Sequence, residues 1–333
     1  MGKVGITTTI PVEILFAAGH QATDLNNLFI TADDYAQYIE LAEKDGFPKS
    51  SCAWIKGMYG ACLENNIDRV VSVVEGDCSD TEALSEVLQA KGIKTYPFAY
   101  PYEHDLESVK EAVDDFRQLF NVSLDKVEMM RSKLNKVRSL AAEIDRLTWQ
   151  ENKATGFENH LYQINCSDFK GDVNGYKEEL EDKIAEIKER TPIDKELRLG
   201  YIGVPPMTAD IYEHVTDFSA HIVYNEVQRE FTFPRYQTAD NIYQQYLDYT
   251  YPYDLEFRLK EIKQEIAKRD LDGIIHYTQA FCHREIEDIV IKDELEIPTL
   301  TIRGDKSRQL DSRMKLRLEA FLDMLGDMKG VSR

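Results

Sequence analysis

Five cysteines are the side chains in this sequence best suited to chemistry, and three of them occupy comparable positions. Cys78 closes the stretch DRVVSVVEGDC, where an apolar, β-branched run over residues 70–74 meets Gly76 and hands over to the thiol. A run apolar on both alternating faces suits a parallel strand covered by helices on either side, so Cys78 is expected at the carboxyl end of a buried strand. Ser79, Asp80 and Thr81 follow as candidate N-caps of a helix carrying Ala83, Leu84, Val87 and Leu88. Cys282 ends GIIHYTQAFC in the same way and precedes His283, Arg284 and an amphipathic pattern with Ile286, Ile289 and Val290. Cys52 has no strand before it but follows Ser50-Ser51 and opens a helix-like run, AWIKGMY. Helix amino termini lower thiol pKa and favour the thiolate, the form that binds metal. Each of these thiols also fits the ordinary role of a cysteine as a small buried hydrophobe. Cys62, among Met58, Tyr59 and Ala61, and Cys166, in LYQINCSDF, are read in that structural way.

Several chemistries are absent from the sequence. No G-x-G-x-x-G follows a strand, and neither a P-loop nor a G-x-S-x-G elbow occurs, so no standard nucleotide or serine-nucleophile fingerprint is encoded. Closely spaced Cys or His pairs of the zinc type and the ferredoxin C-x-x-C run are also missing. A metal would therefore take its ligands from distant parts of the chain. The 333 residues carry 40 Lys and Arg against 60 Asp and Glu, a formal charge of −20, which argues against nucleic acid and acidic membranes as partners. One basic run stands out at 303–317, with Arg303, Lys306, Arg308, Arg313, Lys315 and Arg317; it reads equally as a solvated helix face or an anion site. An odd cysteine count argues against a secreted disulfide scaffold, and no apolar run has the length of a membrane span, so a cytoplasmic protein with reduced or metal-bound thiols is expected.

The elements that must position these thiols alternate between strand and helix. Residues 4–9 read as a strand, Pro11 opens a helix closed by Gly19, and strands near 70–74 and 95–100 flank a helix over 80–91. This places a first open parallel-sheet domain at 1–103. Residues 104–195 are charge-dense with apolar residues at helical spacing, a helical connector. From 196 to 333 the alternation resumes, with strands at 197–203, 221–224, 273–278 and 299–303 and helices at 208–218, 254–269, 283–295 and 310–327, giving a second α/β domain. Six tyrosines crowd 236–253 (Tyr236, Tyr243, Tyr246, Tyr249, Tyr251 and Tyr253), as a lid or as aromatic packing.

The order of motifs carries a resemblance. IPVEILFAAG, Cys52 before an aromatic and basic helix, Gly-Asp-Cys at 76–78, LRLGYIGVPP, and GIIHYTQAFC, IPTLTIRGD and RMKLRLEAFLDML together resemble the 2-hydroxyacyl-CoA dehydratase and benzoyl-CoA reductase family, whose superfamily includes double-cubane iron–sulfur proteins. The resemblance covers nearly the whole chain. It implies two Rossmann-like domains and a [4Fe-4S] cluster held by three separated cysteines, which by motif position are Cys52, Cys78 and Cys282, with one iron left open. It further implies oxygen-sensitive, low-potential one-electron reduction or reductive dehydration of a coenzyme A thioester. An ATP-hydrolysing iron–sulfur activator would supply the electrons, and the chain would pair with a like or unlike subunit. A double cubane would need more thiolates than five cysteines supply, so a single cluster is expected, with Cys62 or Cys166 available for recruitment. His20, after Ala17-Ala18-Gly19, and His283, beside Cys282, are the candidate proton donors; each also fits a helix-end role. Glu75 and Asp77 flank Cys78. The alternatives are a noncatalytic or accessory electron or cluster carrier, and a metal-free α/β binding protein.

Overall fold

The computed structural model describes residues 2–194, 196–233, 236–249 and 255–330. The chain divides into two compact units, each assembled from separated segments. The first comprises Met1–Ser139, Asn165–Glu179 and Glu230–Asp254; the second comprises Leu140–Ile164, Leu180–Arg229 and Leu255–Arg333. The helical stretch 104–195 is thus shared between both units, with one division falling inside the long helix Leu124–Trp149. Residues 103 and 195 mark changes in element type rather than limits of a compact unit.

In the first unit four parallel strands, β1 (Lys3–Ile6), β2 (Gln21–Asp24), β3 (Arg69–Glu75) and β4 (Lys94–Ala99), form one sheet in the order β2-β1-β3-β4. Val70, Val71 and Val73 are fully buried, as expected for a central parallel strand whose two faces are both covered. The connections leaving β1 and β3 run in opposite directions along the sheet, so a topological switch point lies between these strands, where open α/β sheets bind ligands. The helix Ala53–Glu64 is apolar around most of its circumference and buried along most of its length. It is packed unusually close: a Cβ on Gly60 would lie 2.4 Å from the Tyr38 backbone, so only glycine admits the neighbouring helix Ala36–Lys44 at this spacing. Lys56, on the same helix, is buried but paired with Glu43 at 2.9 Å.

The second unit repeats the plan. Strands β5 (Leu197–Gly203), β6 (Ala220–Asn225), β7 (Gly273–Gln279) and β8 (Thr299–Gly304) are parallel in the order β6-β5-β7-β8. Alternate residues feed two cores: Tyr201, Ile275 and Tyr277 pack with Leu318 and Leu322 on one face, and Ile202, Ile274 and Val223 pack with Ile262 on the other. The two sheets share one topology although no internal sequence repeat is evident. Arg269, fully buried, is held by Asp145 and Glu265, which fixes the helix Leu255–Arg269 to the helix Leu124–Trp149.

The tyrosine cluster is packing rather than a lid. Tyr246 and Tyr249 are fully buried, and Tyr246 bonds to Ile10 and Glu13 within the first unit; Tyr251 and Tyr253 lie outside the described residues.

Candidate functional site

Cys78 and Cys52 are brought together in the first unit. Cys78 lies in the turn that leaves β3, after Gly76, whose positive φ of 87° is the conformation that makes glycine useful there. The Thr81 amide donates to the Cys78 carbonyl at 3.0 Å, and the helix Asp80–Ala90 begins directly after. Cys52 occupies the cap position of the helix Ala53–Glu64 and is buried. The two thiols lie close enough to influence each other electrostatically.

Their environment departs from expectation in one respect. The Cys78 thiol is pushed up to about 12, first by burial, then by the Asp77 carboxylate, with Asp80 and Cys52 adding to the effect; the Asp80 main-chain amide, a hydrogen bond to Cys78, opposes them. Burial and neighbouring negative charge therefore outweigh the helix terminus, and an unliganded Cys78 holds its proton at neutral pH. A bound cation would reverse this balance by replacing the proton. Cys62 donates to the Ile67 carbonyl at 3.5 Å, and Cys166 is buried; both thiols are raised to about 12 by burial, which suits packing roles.

Cys282 belongs to the second unit, in a tight turn after β7. Its amide donates to the Gln279 carbonyl at 3.0 Å, and Phe281 sits at φ 67°. The helix expected over 283–295 is broken into a 3-10 turn, His283–Glu285, and a short helix, Asp288–Glu294. Ile286 and Ile289 are 71% and 67% exposed, so the apolar periodicity in this stretch does not face the core of its unit; Ile291 does. His283 is exposed beside Cys282.

His20 is placed elsewhere. Its amide closes the helix Val12–Ala17 on the Leu15 carbonyl, and the next residue begins β2 level with Lys3, the first residue of β1. In a parallel sheet this is the amino-terminal edge, opposite the turn bearing Cys78. His20 packs edge-on against Phe120 there.

Other residues at the carboxyl edge escaped the sequence reading. The Thr9 hydroxyl, in the loop after β1, and the Trp54 indole N–H, two residues after Cys52, are buried with no hydrogen-bond partner among the described residues. Asp24, at the end of β2, meets Asp168 across 144 residues: the Asp24 amide donates to the Asp168 carboxylate at 2.7 Å. Burial, then the Asp24 charge, pushes Asp168 up to about 7.

A family model described as 2-hydroxyglutaryl-CoA dehydratase, D-component, matches residues 7–325. The chain belongs to that family. No curated protein matches it. Members of this D-component family are parts of a dehydratase, and the observed α/β architecture with two parallel sheets agrees with the resemblance drawn from the motifs. Among the described residues no three His, Cys, Asp or Glu side chains gather closely enough to hold a metal ion. The donor chemistry of the first unit nevertheless suits an iron–sulfur cluster: two soft thiols that sense each other electrostatically and a main-chain amide directed at one of them. Among the described residues no helix is long and apolar enough to cross a membrane.

Proposed function

We propose that this D-component homologue is an iron–sulfur protein of the 2-hydroxyacyl-CoA dehydratase type. It carries out low-potential one-electron reduction or reductive dehydration of a coenzyme A thioester, after activation by an ATP-hydrolysing partner and as part of a dimer. The observation that carries this reading is the pairing of Cys52 and Cys78 at the carboxyl edge of a parallel sheet, in a chain of this family.

In this reading Cys52, Cys78 and Cys282 hold a [4Fe-4S] cluster. Such a cluster supplies one-electron transfer and a Lewis-acidic iron for a substrate oxygen. The chain's own residues shape that site. The Asp80 amide draws electron density from the Cys78 sulfur, while Asp77 and Asp80 add negative charge beside it, two opposed influences on potential. His283 is the proton donor beside Cys282, whereas the position of His20 at the opposite sheet edge leaves it no role. The basic run supplies charge for the thioester's phosphates. Arg303, next to the last residue of β8, pairs with Glu285 at 3.1 Å, and Arg313, Lys315 and Arg317 are exposed on the helix Ser312–Lys329. A cytoplasmic, oxygen-sensitive enzyme component follows from the same reading.

The test is iron and acid-labile sulfide content with EPR on anaerobically prepared protein, comparing wild type with Cys78→Ala and Cys62→Ala. Near-stoichiometric cluster in wild type and Cys62→Ala, and its loss in Cys78→Ala, is expected. Iron retained in Cys78→Ala, or absent from wild type, defeats the reading.

A further inference from the structure

The helix Ser312–Lys329 packs Leu318, Phe321, Leu322 and Leu325 into a core of the second unit. Its opposite face is exposed. Arg313, Ala320 and Asp327, spaced by seven residues, lie on one line along that face, with Leu316 and Met324 on either side of the line. Leu316 is 67% and Met324 41% exposed.

Charge on this face is arranged against the helix that carries it. Arg313 stands in the first turn and Asp327 in the last, each beside the end of the helix dipole that repels it. Arg313 and Arg317 lie four residues apart, as do Asp323 and Asp327, and like charges at that spacing oppose each other. Lys329, the cation of the last turn, is directed instead to Asp272 and the Glu196 carbonyl. A lone helix loses stability by this division of charge, but two such helices lying antiparallel are complementary. A two-fold axis beside Ala320 sets Arg313 of each copy against Asp327 of the other, because both are seven residues from Ala320. Leu316 and Met324, each four residues away, come to one level from opposite sides, and Arg317 and Asp323, each three away, repeat the charge division at the rim. The small central side chain admits helix axes to about 8–10 Å. Arg313 and Asp327 then each lie beside the favourable end of the other copy's dipole.

We propose that this face is a self-association surface whose partner is a second copy of this chain, docked through the helix Ser312–Lys329 in antiparallel orientation. The inference goes beyond the dimer of the dehydratase reading by naming the face and a like partner, and it stands without the cluster. It engages Arg313 and Arg317 and leaves Lys315, on the other flank of the helix, to the thioester phosphates of that reading. A single helix pair belongs among the small interfaces, below about 1,200 Å², so a reversible dimer of micromolar affinity is expected.

The experiment is sedimentation velocity on anaerobically prepared full-length protein from about 1 to 100 µM, with iron content measured on every sample. Wild type is expected to shift from monomer toward dimer across that range. Asp327→Arg sets like charges together at both ends of the symmetric contact and is expected to weaken association by about tenfold or more. Arg313→Asp/Asp327→Arg exchanges the signs and is expected to restore association to within about threefold of wild type. Ala320→Trp, at the exposed centre of the face, is expected to hold the helices apart and abolish the dimer with circular dichroism and iron content unchanged. A monomer throughout the range, a dimer that Asp327→Arg or Ala320→Trp leaves intact, or a double variant no better than Asp327→Arg overturns the proposal. Each of these results leaves the iron–sulfur reading standing, because cluster content is read separately in the same samples.

Discussion

Glu13→Gln is the substitution whose cost the structure defines most sharply. Glu13 and Arg138 are 0% and 1% exposed and meet at 2.7 Å. The same carboxylate oxygen accepts from Gln245 at 2.9 Å, and the other accepts from the Tyr246 hydroxyl at 2.9 Å. Burial works against the Glu13 charge, but Arg138 and these donors outweigh it and hold the carboxyl below its usual range. Glutamine preserves the shape, yet it leaves the Arg138 guanidinium buried with no counter-charge and turns an amide N–H toward groups that need an acceptor. Removing one partner of a buried ion pair costs about 3–5 kcal/mol, most of it the penalty on the abandoned charge. Urea denaturation at pH 7 should therefore show Glu13→Gln destabilised by about 4 kcal/mol. The double variant Glu13→Gln/Arg138→Met should recover a large part of that loss, because the stranded charge is gone. The pH dependence has a definite sign. A carboxyl whose folded pKa lies below its unfolded value stabilises the protein above about pH 4.3 and loses that contribution as pH falls through the folded value. The acid limb of the stability profile should accordingly be shallower in Glu13→Gln. A single-variant loss under about 1 kcal/mol, or a double variant as unstable as the two singles summed, would refute the assignment of this pair as the tie between the β1 loop and its flanking helices.

Asp168 gives the opposite sign. Its folded value, about 7, lies above the ordinary carboxyl value near 4, so the native state retains a proton that the unfolded chain releases, and stability declines as pH rises from about 4 to about 7. Thermal melts at pH 5 and pH 8 should show Asp168→Asn losing less stability across that interval than wild type; parallel profiles would show that folded Asp168 retains no extra proton. Gly60→Ala drives a Cβ to 2.4 Å from the Tyr38 backbone and should cost about 2 kcal/mol or more by guanidinium denaturation, because both partners at the contact are helix backbones that must separate. A loss of only a few tenths would mean the two helices slide apart freely, contrary to their role in fixing the helix headed by Cys52.

Much of this protein is local in origin and was legible in its residues. The β-branched run before Gly76 dictated β3, and glycine and proline punctuation set the alternation of strand and helix through both units. It also put Cys52, Cys78 and Cys282 at the starts of helical segments. Local pattern could not decide what depends on which segments become neighbours. Strand order moved His20 to the amino edge of its sheet, since a histidine between helix and strand reads the same at either edge until the crossover is known. The helical periodicity of Ile286, Ile289 and Val290 gave no burial, because burial needs an opposing surface and periodicity carries no information about one. The protonation of Cys78 followed from Asp77, Asp80, Cys52 and exclusion of water, which outweigh the helix terminus that the sequence displayed. Asp24 and Asp168, 144 positions apart, became a buried pair, joined by the Asp24 amide, through folding alone. Hydrophobic pattern is written along the chain and survives reading in one dimension. Electrostatic environment is a sum over distances in three dimensions, and here it was decided by the tertiary structure.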